Sequence, residues 1–172
     1  EAKGGTTSGD GGFIEVSAKD TVLFDGSSID MRTINGDNGL FLIDPLNLTI
    51  SSDAYSRGAD VLYQADNTIT VNDGITISTR NVVGADTADH LTAASLGNSG
   101  SLTMEATSIS IGPDAKLLTF ADSGFASGDI SLLAASKETK LDALFGTTSS
   151  QAASILIDGA TLKGGAVSII SE

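Results

Sequence analysis

Residues 39–50 read Gly39-Leu40-Phe41-Leu42-Ile43-Asp44-Pro45-Leu46-Asn47-Leu48-Thr49-Ile50. Phe41 and Ile43 stand at alternate positions after a glycine, and Pro45 closes the run. Leu48 and Ile50 then alternate again. Successive side chains of a strand face opposite ways, so each alternation marks the buried face of a short strand. Pro45 sits at the end of its run, where a missing N–H need not break a ladder bond.

The same pattern recurs along the chain. Ile14, Val16 and Ala18 follow Gly12, Leu102, Met104 and Ala106 follow Gly100, and Ile130, Leu132 and Ala134 follow Gly128. A shifted copy, Val61, Tyr63 and Ala65, follows Gly58, and Val167 and Ile169 follow Gly165. A second kind of segment comes a few residues later, as Val22 and Phe24, Ile69 and Val71, Ile109 and Ile111, and Ile155 and Ile157. A third apolar site often follows, at Ile29, Ile75, Leu117 and Leu162. Asp-Gly and Asn-Gly pairs punctuate these segments, as turn residues do. The unit is two or three short strands repeated about six times, in coils of roughly 20 to 40 residues. Loops inserted on a solenoid account for the uneven lengths. A β-sandwich of hairpins is the rival, since Asn-Gly and Asp-Gly suit two-residue turns. The recurring order of segment types predicts instead an all-β, right-handed parallel β-helix over residues 1–172.

Two stretches break the strand rhythm. In 84–99, Asp86 precedes Ala88, Leu91 and Ala94 at helical spacing, with Gly97 as a stop. In 135–153, Ser136 stands as an N-cap before Leu141, Leu144 and Phe145, with Gly146 as a stop. Both read as inserted surface loops holding a helical turn or two. Leu133, Leu156 and Ile170 fall on nominally outward positions, and the stripe of the second insertion is expected to cover them.

Composition bounds the function. A chain of 172 residues with 40% hydrophobic and 18% charged residues buries a core and is neither a disordered tail nor a membrane protein. Twenty-two acidic against nine basic residues leave a net charge of -13. That sign argues against nucleic acid and anionic membranes as partners. The absence of cysteine excludes disulfides, thiolate metal sites and cysteine nucleophiles.

Gly11-Gly12-Phe13-Ile14-Glu15-Val16-Ser17-Ala18, then Phe24-Asp25-Gly26, then residues 39–50 resemble the filamentous-haemagglutinin-like exoproteins of Gram-negative bacteria. The family's second motif, G-x-L-L-(L/I)-D-P-x-N-(I/L)-T-I, is the sharper, and Phe41 is the one departure from it. The resemblance implies a large adhesin exported by two-partner secretion to the exterior of the outer membrane and built as a long β-helix. The chain is then expected to be one segment of a longer repetitive shaft. Its partners would be other segments of the same adhesin and surface glycans or proteins of a host or microbe, with end-to-end self-association at its open edges.

Chemistry is sparse. Asp44 and Glu105 fall on one outward face two coils apart, about 10 Å at a strand spacing of about 4.8 Å. That separation suits an inverting glycosidase pair. No Arg, Lys or His shares the column, so solvated acids are the simpler reading. His90 lies beside Asp86 and Asp89, a nominal Ser-His-Asp partner set, but a lone histidine in a polar loop is expected to be exposed. Asp25, Asp37, Asp73 and Asp158 lie in oxygen-rich turns that suit calcium, although no EF-hand or nonapeptide loop surrounds them, and turn formation explains them as well. Asn47 heads the sequon Asn47-Leu48-Thr49 and so has two readings, a glycosylation site or a structural asparagine stacked on a neighbouring coil. The expected function is a non-catalytic shaft needing no cofactor. A carbohydrate-active β-helix (polysaccharide lyase or glycoside hydrolase) and a glycan- or receptor-binding module are the alternatives.

Overall fold

The computed structural model describes residues 1–172 apart from 34, 85 and 142–146, and apart from the side chains of 27, 137–141 and 147–150. Strands follow the alternation closely. β1 (Phe13–Ser28) and β2 (Leu40–Tyr55) run long. β3 (Asp60–Gln64), β4 (Thr68–Val71) and β5 (Thr76–Ser78) repeat the three stations of β2 as separate strands. After helix α1 (Thr87–Thr92), β6 (Leu102–Ala106), β7 (Ser108–Ile111) and β8 (Lys116–Leu118) repeat them again. Then come β9 (Ile130–Ala134), the pair β10 (Lys137–Leu141) and β11 (Thr147–Gln151), β12 (Ser154–Ile157), β13 (Thr161–Lys163) and β14 (Val167–Ser171).

Twelve strands form one nearly closed, barrel-like sheet, and its pairings are parallel. A sandwich of hairpins would have paired them antiparallel. Register follows the repeat: Ile14 opposes Phe41, which opposes Val61, then Leu102, Ile130 and Val167 in turn. Val22, Leu48, Ile69, Ile109 and Ile155 form a second such column. Ala54, Ile77, Leu117 and Leu162 form a third. A shift of one residue would turn every apolar side chain outward, so burial itself holds this register.

The columns meet in a single core running from Met31 to Leu132. Phe41 packs against Phe24 and edge-on to Tyr63, with ring centroids 5.9 and 6.4 Å apart. The expected burial fails at the two ends: Val16, Val167 and Ile169 are 42%, 45% and 52% exposed. β1 and β14 each pair with one strand, so their inward residues lack a layer on the other side.

Glycine before a strand has a steric reason. A Cβ at Gly100 would overlap the carbonyl oxygen of Ala59, and one at Gly128 would overlap that of Gly100. Neighbouring stretches of chain approach there too closely for any side chain. Between the second and third stations the chain turns through a positive φ, at Gly26, Gly74, Asp114 and Gly159 (72°, 70°, 58° and 61°). Aspartate tolerates this conformation at Asp114 as few other residues do.

The first insertion holds the expected helix, α1, with Asp86 as its N-cap accepting from the Asp89 N–H. Its buried face differs from the one expected: His90 is buried, whereas Leu91 is exposed. The second insertion is not helical where it is described. β10 pairs antiparallel with β11, and the Ser136 N–H, read as part of a cap, donates to the Glu172 carbonyl at 2.7 Å. Thr147-Thr148-Ser149-Ser150 suits a strand better than a helix. Leu144, Phe145, Gly146 and the Leu141 side chain, and with them the expected cover over Leu133, Leu156 and Ile170, lie outside the described residues. Leu156 and Ile170 are exposed.

Candidate functional site

The outward face of the first station carries the acids read from the sequence. Gln64 is the register partner of Glu105, and Asp44 follows Ile43, the partner of Tyr63. The column therefore runs Asp44, Gln64, Glu105, and the Gln64 Nε2 donates to Glu105 at 3.3 Å. These side chains, with Asp66, Thr107 and Ser136, line an open cleft of about 500 Å³. No Lys, Arg or His lines it among the described residues. An amide fills the space between the carboxylates, and among the described residues no cation lines the cleft. The carboxylates and the amide can hydrogen-bond to hydroxyls or to water.

The four aspartates considered for calcium do not converge. Asp25, Asp73 and Asp158 each precede a positive-φ glycine in the same turn of different layers, and Asp37 lies in the loop before β2. Asp25 accepts from the Ser52 hydroxyl. Among the described residues no three His, Cys, Asp or Glu side chains gather as a metal site. Asn47 stacks on the neighbouring layer: its Oδ1 accepts from the Asn67 Nδ2 at 2.8 Å and from the Thr68 hydroxyl at 3.0 Å.

The expectation of an exposed His90 is overturned. Its ring is fully buried and stacked on Tyr55, with centroids 4.2 Å apart and planes 9° from parallel. Nδ1 bonds the Ser78 hydroxyl at 2.8 Å, and Nε2 has no hydrogen-bond partner. Asp86 and Asp89 therefore do not orient the ring, and the His90–Ser78 pair is sealed from any substrate. Burial first, then the charges of Arg57 and Arg80, push the imidazole down to about 4, so it is neutral at pH 7.

Around this ring lies a polar cluster that periodicity does not reveal. The Tyr55 hydroxyl donates to Asp53 at 2.7 Å, and so does the Thr87 hydroxyl of α1. Burial raises the Tyr55 phenol to about 12. It would raise Asp53 as well, but the Thr76 N–H and the two hydroxyls outweigh it and hold that carboxyl below its usual range. Arg80 is 1% exposed, and its guanidinium donates to the carbonyls of His90, Ala93 and Phe120 at 2.6, 3.1 and 3.1 Å. It also lies 3.8 Å from the Phe120 ring centroid and 3.3 Å from Asp122. A buried cation needs such partners, and these fasten the first insertion to the strands beneath. Asp30 forms a second knot. Burial would raise its carboxyl, but the hydrogen bonds of Arg32 and Lys3, at 2.6 and 3.0 Å, leave it well below the ordinary range. In the sequence Arg80 shows only as a cation after Thr76-Ile77-Ser78-Thr79, a stretch with one apolar residue.

Comparison with protein-family models, curated proteins and solved structures finds no match to this chain. Among the described residues no helix is long and apolar enough to cross a membrane.

Proposed function

We propose that this chain is a segment of a right-handed parallel β-helix and serves as the non-catalytic shaft of a secreted adhesin displayed outside a Gram-negative outer membrane. The observation that carries the reading is the in-register column Ile14, Phe41, Val61, Leu102, Ile130 and Val167, each member supplied by the next stretch of chain. Parallel strands joined in sequence order need crossover connections, and those are right-handed in nearly all proteins. A stack whose layers contact only their neighbours makes a stiff rod that lengthens by adding layers. The sequence motifs of residues 11–18 and 39–50 support the adhesin family, and the excess of acids keeps such a rod soluble and away from anionic surfaces.

The test is surface labelling of intact producing cells with antibody raised against this chain. Labelling that is lost on external protease treatment, together with weaker adhesion when these residues are deleted from the gene, is the expected result. Labelling only after cell lysis would refute the surface shaft. The carbohydrate-active reading has one supporting feature, the Asp44–Glu105 separation by a single layer. Polysaccharide turnover by the purified chain that Glu105→Gln abolishes would establish it in place of the shaft.

A further inference from the structure

Helix α1 is docked by a titratable ring. Of its six residues only His90 is buried, whereas Leu91 is 40% exposed. Surface helices usually dock through aliphatic side chains, which hold at any pH. We propose that α1 is an acid-released strap, lifting from Tyr55 and β5 when His90 takes up a proton while the stacked layers stay folded.

The place of His90 fits the neutral ring. Nδ1 bonds the Ser78 hydroxyl at 2.8 Å, and the buried Nε2 meets no hydrogen-bond partner. An imidazolium has two N–H groups to satisfy, so the charged ring would bury one of them without an acceptor. Arg57 follows β2 and Arg80 follows β5, and both cations disfavour a third charge beside them. From α1 and its cap, Asp89 and Asp86 pull the other way, less strongly than burial and the two arginines together. Asp53 reaches the site through the Tyr55 and Thr87 hydroxyls, and Asp122 through Arg80. Against burial, Asp53 is held below its usual range by the Thr76 N–H and those hydroxyls, and Asp122 is held there by the Ser95 N–H. Both therefore stay ionised while a histidine titrates.

The surroundings make the opening local. One foot of the strap is Gly84, whose carbonyl accepts from Arg57 at 2.8 Å and whose φ is 127°. The other is held by the Ser95 N–H, which donates to Asp122 at 2.7 Å, and by the Leu96 N–H, which donates to the Asn81 carbonyl at 2.7 Å. Between these feet α1 is held by the His90 stack, the Thr87 hydroxyl on Asp53 and the Arg80 bonds to the carbonyls of His90 and Ala93. When α1 lifts, Arg80 keeps the Phe120 carbonyl and Asp122, so its charge stays paired. Lifting uncovers Tyr55, Thr76 and Ser78, which are buried and bonded to the helix while it is down.

This inference rests on the His90 site and is independent of the shaft reading. The docked ring titrates at about 4 and a freed one at 6.5. Between those limits the lifted form gains by up to about tenfold for each unit the pH falls. The measurement is NMR of the 172-residue chain from pH 7.5 to 4.5, following amide protection relative to intrinsic exchange at each pH and the titration of the His90 ring protons. The His90 and Ala93 amides, bonded within the closed helix, are expected to lose protection as the pH falls, while Ile69, Leu102 and Leu132 keep theirs. His90→Gln cannot take up a proton and should lose the slope, whereas Asp86→Asn can still cap the helix and should keep it. The wild-type ring gives a readout that needs no variant, a titration well below 6.5. Flat protection in the wild type, an equal fall in the stack, a slope kept in His90→Gln or lost in Asp86→Asn, or a ring that titrates at 6.5 would each overturn the strap.

Discussion

Phe41 and Ile43 fill one layer of a slim core, each flanked by apolar partners above and below. Their truncation to alanine leaves a cavity that neighbouring layers cannot close, because those layers are tied in register. Denaturant melts are expected to show a loss of about 2–5 kcal/mol for either change. Glu15 points outward from the same ladder, and Glu15→Ala should cost under about 0.5 kcal/mol. Equal losses at the two kinds of position would reject the assigned facing. His90 carries a second prediction at this scale. Its surroundings are Arg57 and Arg80, Asp86 and Asp89, and the Tyr55 ring. The folded imidazole titrates at about 4, below the ordinary value of 6.5, so the unfolded chain binds its proton first as the pH falls. The stability His90 contributes is therefore complete above about pH 6.5 and declines as the pH drops towards 4. Urea midpoints between pH 7.5 and 4.5 should fall more steeply for the wild type than for His90→Gln, and parallel slopes would remove His90 as the cause.

Strands and turns set different demands on the same residue type. Gly128 lies against the carbonyl of Gly100, whereas Gly74 has a positive φ and open space around it. Gly128→Ala must push two layers apart and should cost about 1–3 kcal/mol or more, as overpacking does. Gly74→Ala strains only its own backbone and should cost about 1 kcal/mol. Thermal melts of the two variants check the order, and a smaller loss at Gly128 would refute the close-approach argument. α1, at six residues, is too short to hold itself together in water. Its order comes from the Asp86 cap, the His90 ring and the Arg80 guanidinium beneath it.

For the whole molecule the end layers matter most. β1 and β14 present strand edges together with the exposed Val16, Val167 and Ile169. Such edges favour end-to-end stacking of copies, opposed by the repulsion of a -13 charge. Light scattering is expected to show association that grows with concentration and with salt, and that Ile169→Lys suppresses. A species that stays monomeric across both, or an unaffected Ile169→Lys, would count against open ends.

Sequence by itself determined the strand stations, their facing and their order. A two-residue period with apolar residues on one side has one low-energy outcome once a second copy lies alongside, so Phe41, Val61 and Leu102 align from the sequence alone. The acid column follows from the same count, since outward residues share the register of inward ones. Three features were decided only by the tertiary structure. The interior place of His90 depends on Tyr55 and Arg80, residues 35 and 10 positions away that no local pattern links to it. The strand pair of the second insertion depends on β10 and β11 finding each other, which the helical spacing of Leu141, Leu144 and Phe145 concealed. A recess lined by Asn38, Asp60, Asn81, Asn98 and Phe125 gathers loops between strands, where side-chain periodicity carries no signal because no shared face constrains it.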